Sequence, residues 1–144
     1  MASSMSITEL KGKSLFISND NLGHCVSRDY KMGAGIAVEF KKRFGRVETL
    51  RKQQTPVGGC SVLNVNGRYI FYLVTKERYF ERPTYPNLIE SLKSMRDFCR
   101  ENNVTSVSLP MIGCGLDRLK WSEVKKILIN LFQDENMHIT IYSL

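Results

Sequence analysis

The sequence predicts an α/β domain, a mixed sheet held between helices. Three observations carry this expectation. β-type and helical runs alternate along the chain. Asn66-Gly67, the strongest short hairpin signal, joins two apolar runs into an antiparallel pair. The run Tyr69-Ile70-Phe71-Tyr72-Leu73-Val74 is apolar at both alternating positions, as a strand covered on each face must be.

Taken in order, Ser14-Leu15-Phe16-Ile17-Ser18 and Leu22-Gly23-His24-Cys25-Val26 read as two short β-type runs, split by the turn residues Asn19-Asp20-Asn21. A glycine-rich passage over 27–37 then opens a helix in which Ile36, Ala37, Phe40 and Phe44 recur at helical spacing, Lys41, Lys42 and Arg43 lie outward, and Gly45 is the stop. A second helical piece runs over 47–54 and ends in the loop Thr55-Pro56-Val57-Gly58-Gly59. The hairpin strands follow at 60–65 and 69–75. From 84 to 102, Leu88, Leu92, Met95 and Cys99 share one helical face, with Thr84 as N-cap and Pro86 tolerated in the first turn. A strand at 105–109, a helix over 122–133 with Val124, Ile127, Leu128 and Leu131 inward, and a last strand at 138–142 complete the chain.

The 144 residues suit one domain over 1–144, with only the first few residues expected to be flexible. The start Met1-Ala2-Ser3-Ser4 has neither the basic nor the apolar run of a secretion signal, and no stretch is apolar enough for a membrane span, so an intracellular protein in nucleus or cytoplasm is expected. Cys25, Cys60, Cys99 and Cys114 are scattered and read as reduced small hydrophobes, with neither zinc spacing nor a disulfide framework. The net charge of +7 favours polyanionic partners, and Lys41, Lys42, Arg43, Arg46, Arg51 and Lys52 crowd one region.

Two glycine loops carry the functional signal. Met32-Gly33-Ala34-Gly35-Ile36 and Met111-Ile112-Gly113-Cys114-Gly115-Leu116-Asp117 each follow a predicted strand and precede a predicted helix. Placed at the carboxyl ends of neighbouring strands, they would bring backbone N–H groups against a diphosphate. Neither fits the G-x-x-x-x-G-K-[ST] phosphate loop, and the first lacks the third glycine of the dinucleotide fingerprint, which disfavours an NTPase and a standard NAD dehydrogenase.

These loops, together with His24-Cys25-Val26-Ser27, Gly67-Arg68-Tyr69-Ile70, Tyr72-Leu73-Val74-Thr75-Lys76, Pro83-Thr84-Tyr85 and a second loop that runs on to Leu119 and Trp121, resemble a macrodomain along nearly the whole chain. The closest likeness is to the terminal ADP-ribose protein glycohydrolase, or O-acyl-ADP-ribose deacylase, branch. The resemblance implies a three-layer α/β/α fold with a mostly parallel sheet. It also implies a monomer that reverses ADP-ribosylation, including in the response to DNA damage, without metal or other cofactor. The expected activity is removal of mono-ADP-ribose from Asp and Glu esters on proteins, with O-acyl-ADP-ribose as a further substrate. A non-catalytic ADP-ribose reader is the alternative, favoured if Lys76 points away from the cleft; contact with poly-ADP-ribose or nucleic acid through the basic face would be auxiliary.

The resemblance places a nucleophile at Lys76 and a proton-transferring acid at Asp117. An amine attacks a sugar carbon only as the free base, and burial or a neighbouring cation favours that form. Taken alone, Lys76 reads as a solvated strand-end lysine and Asp117 as a helix cap or a partner of Arg118 or Lys120; the resemblance reverses both. His24 reads as a hydrogen-bonded core residue and stays so. For binding, the resemblance implies Ser14 and Leu15 at the adenine, Cys25 and Ser27 near the strand end, Gly33, Ala34 and Gly35 in the first loop, and Met111, Ile112, Gly113, Cys114, Gly115 and Leu116 in the second. Tyr142 is placed either to stack on adenine or to pack, and Leu144 to line the same pocket. One departure stands out: where relatives carry Gly-Asp to accept a hydrogen bond from the adenine amine, this chain reads Gly12-Lys13-Ser14-Leu15. Lysine cannot accept that bond, so adenine recognition is expected to rest on backbone near Ser14 and Leu15, on Asp20 reaching in, or to be weaker.

Overall fold

A computed structural model describes residues 4–144, and the expectation of a flexible start falls largely on residues 1–3, outside the described part. The elements are β1 (Ser6–Lys11), β2 (Leu22–Ser27), α1 (Ile36–Phe44), α2 (Val47–Lys52), β3 (Cys60–Val65), β4 (Arg68–Lys76), α3 (Tyr85–Glu101), β5 (Ser106–Pro110), α4 (Trp121–Phe132) and β6 (His138–Ser143). The strands form one sheet in the order β1-β6-β5-β2-β4-β3. Every neighbouring pair is parallel except β3 with β4. This is the expected mixed, mostly parallel sheet.

Strand β4 shows why both alternating faces had to be apolar. Phe71 and Leu73 enter a core with Leu88, Leu92 and Met95 of α3 and Val124 and Leu128 of α4. Ile70, Tyr72 and Val74 enter a second core with Phe40 of α1 and Leu50 of α2. Each side chain leaves water for one helical layer or the other, at roughly 1.5–3 kcal/mol per buried large apolar residue.

Local signals set the element ends. Asn66 and Gly67 both have positive φ, 51° and 90°, the pairing that a tight hairpin following the twist of its strands requires. The Thr84 hydroxyl accepts the Asn87 N–H at 3.2 Å and Pro86 sits in the first turn of α3. Gly45 ends α1 with its N–H donated to the Lys41 carbonyl.

One expectation needs correction. The run at 14–18 is no strand: Leu15–Ile17 is a single 3-10 turn, because the Ser14 hydroxyl accepts the Phe16 N–H at 3.2 Å and closes the backbone on itself. The strand lies earlier, at β1, which pairs in register with β6 from Ser6↔His138 to Lys11↔Ser143.

The sheet's other outer strand, β3, is closed by side chains. Gln53 donates to the Val62 carbonyl at 2.9 Å and accepts the Val62 N–H at 3.2 Å, while Arg46 donates to the Asn64 carbonyl at 2.9 Å.

Candidate active site

Because β2, β4, β5 and β6 all run the same way, their carboxyl ends share one border of the sheet. Ser27, Lys76, Pro110 and Ser143 are the last residues of those strands. The loops that leave them enclose a cleft of about 1120 Å³. Ser14, Leu15, Cys25, Ser27, Gly33, Ala34, Gly35, Lys76, Met111, Ile112, Gly113, Cys114, Gly115, Leu116, Asp117, Tyr142 and Leu144 all line it. The two glycine loops approach each other: a Cβ on Gly35 would lie 3.6 Å from Leu116 Cδ1. Gly113 has φ of +73°, and a Cβ there would come within 2.7 Å of Leu119 Cδ1, so the bend of the second loop admits only glycine without rearrangement.

Lys76 ends β4 and faces inward. Its Nζ donates to Asp117 Oδ1 at 2.8 Å, with side-chain exposures of 13% and 22%. Asp117 caps nothing: the residue before α4 is Lys120, which makes no side-chain cap, and the aspartate bonds instead across the cleft. A slip in register between Val26 and Ser27 sets Ser27 opposite Lys76, and the Arg28 N–H holds the Lys76 carbonyl at 2.8 Å. The Lys76–Asp117 pair is thus fixed from the backbone side by β2 and from the side-chain side by the second glycine loop.

Asp29 ties the loops around this end together. Its Oδ1 accepts the Ser27 hydroxyl at 2.5 Å and the Lys31 N–H at 3.1 Å, and its Oδ2 accepts the Tyr79 N–H at 3.1 Å. Burial raises the carboxyl pKa, but these bonds and the Lys31 charge outweigh it and leave the group below the usual carboxylate value. Ser27 therefore spends its proton on Asp29 and presents only acceptor capacity to the cleft.

The thiols at the cleft are held protonated. Burial pushes Cys25 up to about 12, with the Asp117 charge adding to the effect, and burial pushes Cys114 up to about 11. Both stay neutral, and all four cysteines are free. Among the described residues no group of three His, Cys, Asp or Glu side chains converges as a metal site requires.

His24 is a core residue but not a hydrogen-bonded one. Its ring stacks on Phe40 at 3.7 Å and meets Tyr72 edge-on at 5.0 Å, and neither nitrogen has a partner among the described residues. The ring contacts to Phe40 and Tyr72 supply no hydrogen bond, and burial lowers its pKa to about 3.

Asp20 does not reach in. Its carboxylate accepts the hydroxyls of Ser106 at 2.7 Å and Ser108 at 3.2 Å, which fastens the loop before β2 to β5 and keeps Asp20 out of the cleft lining. Lys13 does line the cleft and is exposed beside Ser14. The sequence reading missed the loop after β4. Tyr79, Phe80 and Arg82 form a rim next to Lys76, with Tyr79 51% and Phe80 69% exposed. An aromatic pair inside the charged string Glu77-Arg78-Tyr79-Phe80-Glu81-Arg82 was the available signal, since a loop of that composition has no core in which to bury it.

Comparison with known proteins gives the same picture. The chain is 50% identical over 140 residues to the bovine (Bos taurus) ADP-ribose glycohydrolase OARD1, covering 96% of this chain and 91% of that protein. To the human (Homo sapiens) ADP-ribose glycohydrolase OARD1 it is 49% identical over the same shares. The solved macrodomain of Thermus aquaticus DarG superposes with a TM-score of 0.85 at 25% identity, covering 96% of this chain and 98% of that one. The Macro domain family profile matches residues 24–128, a span that takes in Ser27, both glycine loops, Lys76 and Asp117, and the chain accordingly belongs to the macro domain family.

Proposed function

We propose that this protein is an ADP-ribosyl hydrolase that removes mono-ADP-ribose from Asp and Glu esters on proteins, and deacylates O-acyl-ADP-ribose, through Lys76 and Asp117. The observation that carries this reading is the 2.8 Å Lys76–Asp117 contact in the lining of the cleft. The names of the two mammalian relatives support the reaction class. The reader alternative asked for a Lys76 turned away from the cleft, and its side chain instead lines it.

In this mechanism the diphosphate lies between the glycine loops, near the amino end of α1, where free N–H groups and the helix dipole favour an anion. Asp117 takes a proton from Lys76. The free amine attacks the anomeric carbon of the distal ribose, a C–N bond forms, the C–O bond breaks, and the acceptor leaves as its carboxylate. Water then displaces the lysyl nitrogen with Asp117 moving the proton, which returns the enzyme and frees ADP-ribose. An O-acyl-ADP-ribose with its acyl group on the anomeric oxygen presents the same kind of ester with a small acyl group in place of the protein, and the same steps release the small acid.

The site of action is the interior of the cell, in nucleus or cytoplasm, with the protein acting as a monomer in reversal of ADP-ribosylation, including after DNA damage. The basic face on α1 and α2 has an auxiliary part. Arg43 pairs with Glu39, Arg51 with Glu48, and Lys41 and Arg46 hold carbonyls, so much of that charge is engaged within the fold.

Lys76→Ala tests the reading. Turnover of an acid-modified protein should vanish while ADP-ribose affinity stays within about tenfold, a change of about 1.4 kcal/mol. Turnover retained in that variant excludes the lysine route; absent ADP-ribose binding to the wild type in titration calorimetry excludes the hydrolase and the reader together.

A further inference from the structure

We infer that the loop after β4 is the docking surface for the acceptor polypeptide, and that Tyr79, Phe80 and Arg82 select an acidic segment around the modified residue. The inference rests on the proposed hydrolase reading for the identity of the site and adds what lies beyond the ADP-ribosyl group.

The placement comes first. If the anomeric carbon lies at Lys76, the leaving carboxylate and the chain that bears it lie beside Lys76 on the outer side of the cleft. The residues that line the cleft there are Tyr79, Phe80, Glu81 and Arg82, three to six positions along the chain from the nucleophile.

The chemistry of the rim comes second. Tyr79 and Phe80 pack edge to face at 5.5 Å and remain among the most exposed large apolar side chains of the described structure. An exposed aromatic pair at the mouth of a cleft is characteristic of a surface that a partner covers. The charges around it are not balanced. Glu77 is paired with Arg28, Glu81 accepts the Arg78 N–H at 2.7 Å within its own loop, and Asp117 holds Lys76. Arg82 and Arg118 make no side-chain hydrogen bond or ion pair among the described residues, and the Lys31 ammonium lies 4.1 Å over the Tyr79 ring. Cations with apolar ground beside them suit an acidic peptide.

The same geometry argues against a nucleobase on the tyrosine. Lys31 occupies one face of Tyr79, and the edge-to-face partner Phe80 breaks up any parallel platform. Stacking of a base needs an open ring face.

The backbone is held ready for this role. Asp29 fixes the Tyr79 and Lys31 N–H groups from one carboxylate, so the rim and the first glycine loop keep their spacing without a ligand.

Affinity rather than turnover is the readout, so that the docking inference and the hydrolase reading fail separately. The probes are free ADP-ribose and two short peptides carrying ADP-ribose through a non-hydrolysable amide, one flanked by Glu and one by Lys. A single-stranded oligonucleotide carrying ADP-ribose is the fourth. Wild type should bind the Glu-flanked peptide about tenfold tighter than free ADP-ribose, and the Lys-flanked peptide no better than free ADP-ribose. Phe80→Ser should remove most of that gain, and Arg82→Glu should transfer the preference to the Lys-flanked peptide, both with unchanged affinity for free ADP-ribose. Equal affinity of wild type for both peptides and free ADP-ribose, a preference untouched by either variant, a parallel loss of free ADP-ribose binding, or a larger gain with the oligonucleotide than with the Glu-flanked peptide would each overturn the inference.

Discussion

Acidification should loosen this fold through one residue, His24, and the size of the effect follows from its surroundings. The imidazole is fully buried against Phe40 and Tyr72, neither nitrogen has a partner among the described residues, and burial lowers its pKa to about 3. In the unfolded chain a histidine titrates near about 6.5. Between those values the unfolded chain binds one more proton than the folded one, so stability is complete above the unfolded value and is lost as the pH falls toward the folded one. At about pH 5 the gap of roughly 1.5 pH units below the unfolded value corresponds to about 2 kcal/mol. That is a large fraction of a typical domain stability of about 5–15 kcal/mol. Asp29 and Glu9 also have lowered values and lose their contributions as the pH falls, but from carboxylate starting points of 3.8 and 4.5, largely below this window. The assay is urea unfolding of wild type and His24→Phe at about pH 7.5 and about pH 5. The phenyl ring keeps the stack on Phe40 and abandons no hydrogen bond. Wild type should lose about 2 kcal/mol more than the variant between the two conditions, which at about 1–3 kcal/mol per molar urea moves its midpoint by roughly 1 M. The chain's other histidine, His138, is present in both proteins and drops out of the difference. Equal losses would refute the argument and show that a proton reaches the buried ring.

Two further substitutions test the cleft. A Cβ at Gly115 would meet nothing within 4 Å, so Gly115→Val should leave the thermal midpoint nearly unchanged while damaging ADP-ribose binding by calorimetry; unaltered affinity would show that this loop is not the diphosphate clamp. Lys13→Asp supplies the carboxylate that the resemblance implies at this position and should tighten ADP-ribose by about 0.5–1.5 kcal/mol, the worth of one hydrogen bond, with no gain for ribose-5-phosphate; equal affinities for both proteins on both ligands would mean that position 13 does not address the base.

How much of this was legible in the letters depends on whether the determining contacts were local. The Asn66-Gly67 turn, the Thr84 cap and the Gly45 stop act within a few residues of themselves, and each sits where the sequence puts it. Strand β1 was missed because it is an outer strand with both faces half exposed, so Ser6-Ile7-Thr8-Glu9-Leu10-Lys11 alternates only weakly; what makes it a strand is β6, more than a hundred residues away. At 14–18 the β preference of Leu-Phe-Ile lost to one serine hydroxyl. The glycine loops, Lys76 and Asp117 were visible as motifs, and the fold gathers them into one cleft. The rim of Tyr79, Phe80 and Arg82 has no motif and becomes meaningful only once β4 is seen to end at Lys76. Asp20 could not be placed from sequence at all, because its partners Ser106 and Ser108 come from a strand that topology alone brings beside it.

The Gln53 amide on β3 bears on how this molecule behaves in a crowded solution. A peptide group and a carboxamide side chain offer the same donor and acceptor, so at Val62 the side chain imitates the next strand of the sheet. With Arg46 on the following outward carbonyl, hydrogen-bonding sites that a foreign strand would need are consumed inside the molecule. The border of the sheet is capped by one glutamine and one arginine from a neighbouring helix and its approach, and the charge on the arginine adds a repulsive element against a second copy. A partly unfolded chain that has lost α2 would expose the outer hydrogen-bonding groups of β3 even with the rest of the sheet intact, so protection of this border depends on the docking of a six-residue helix.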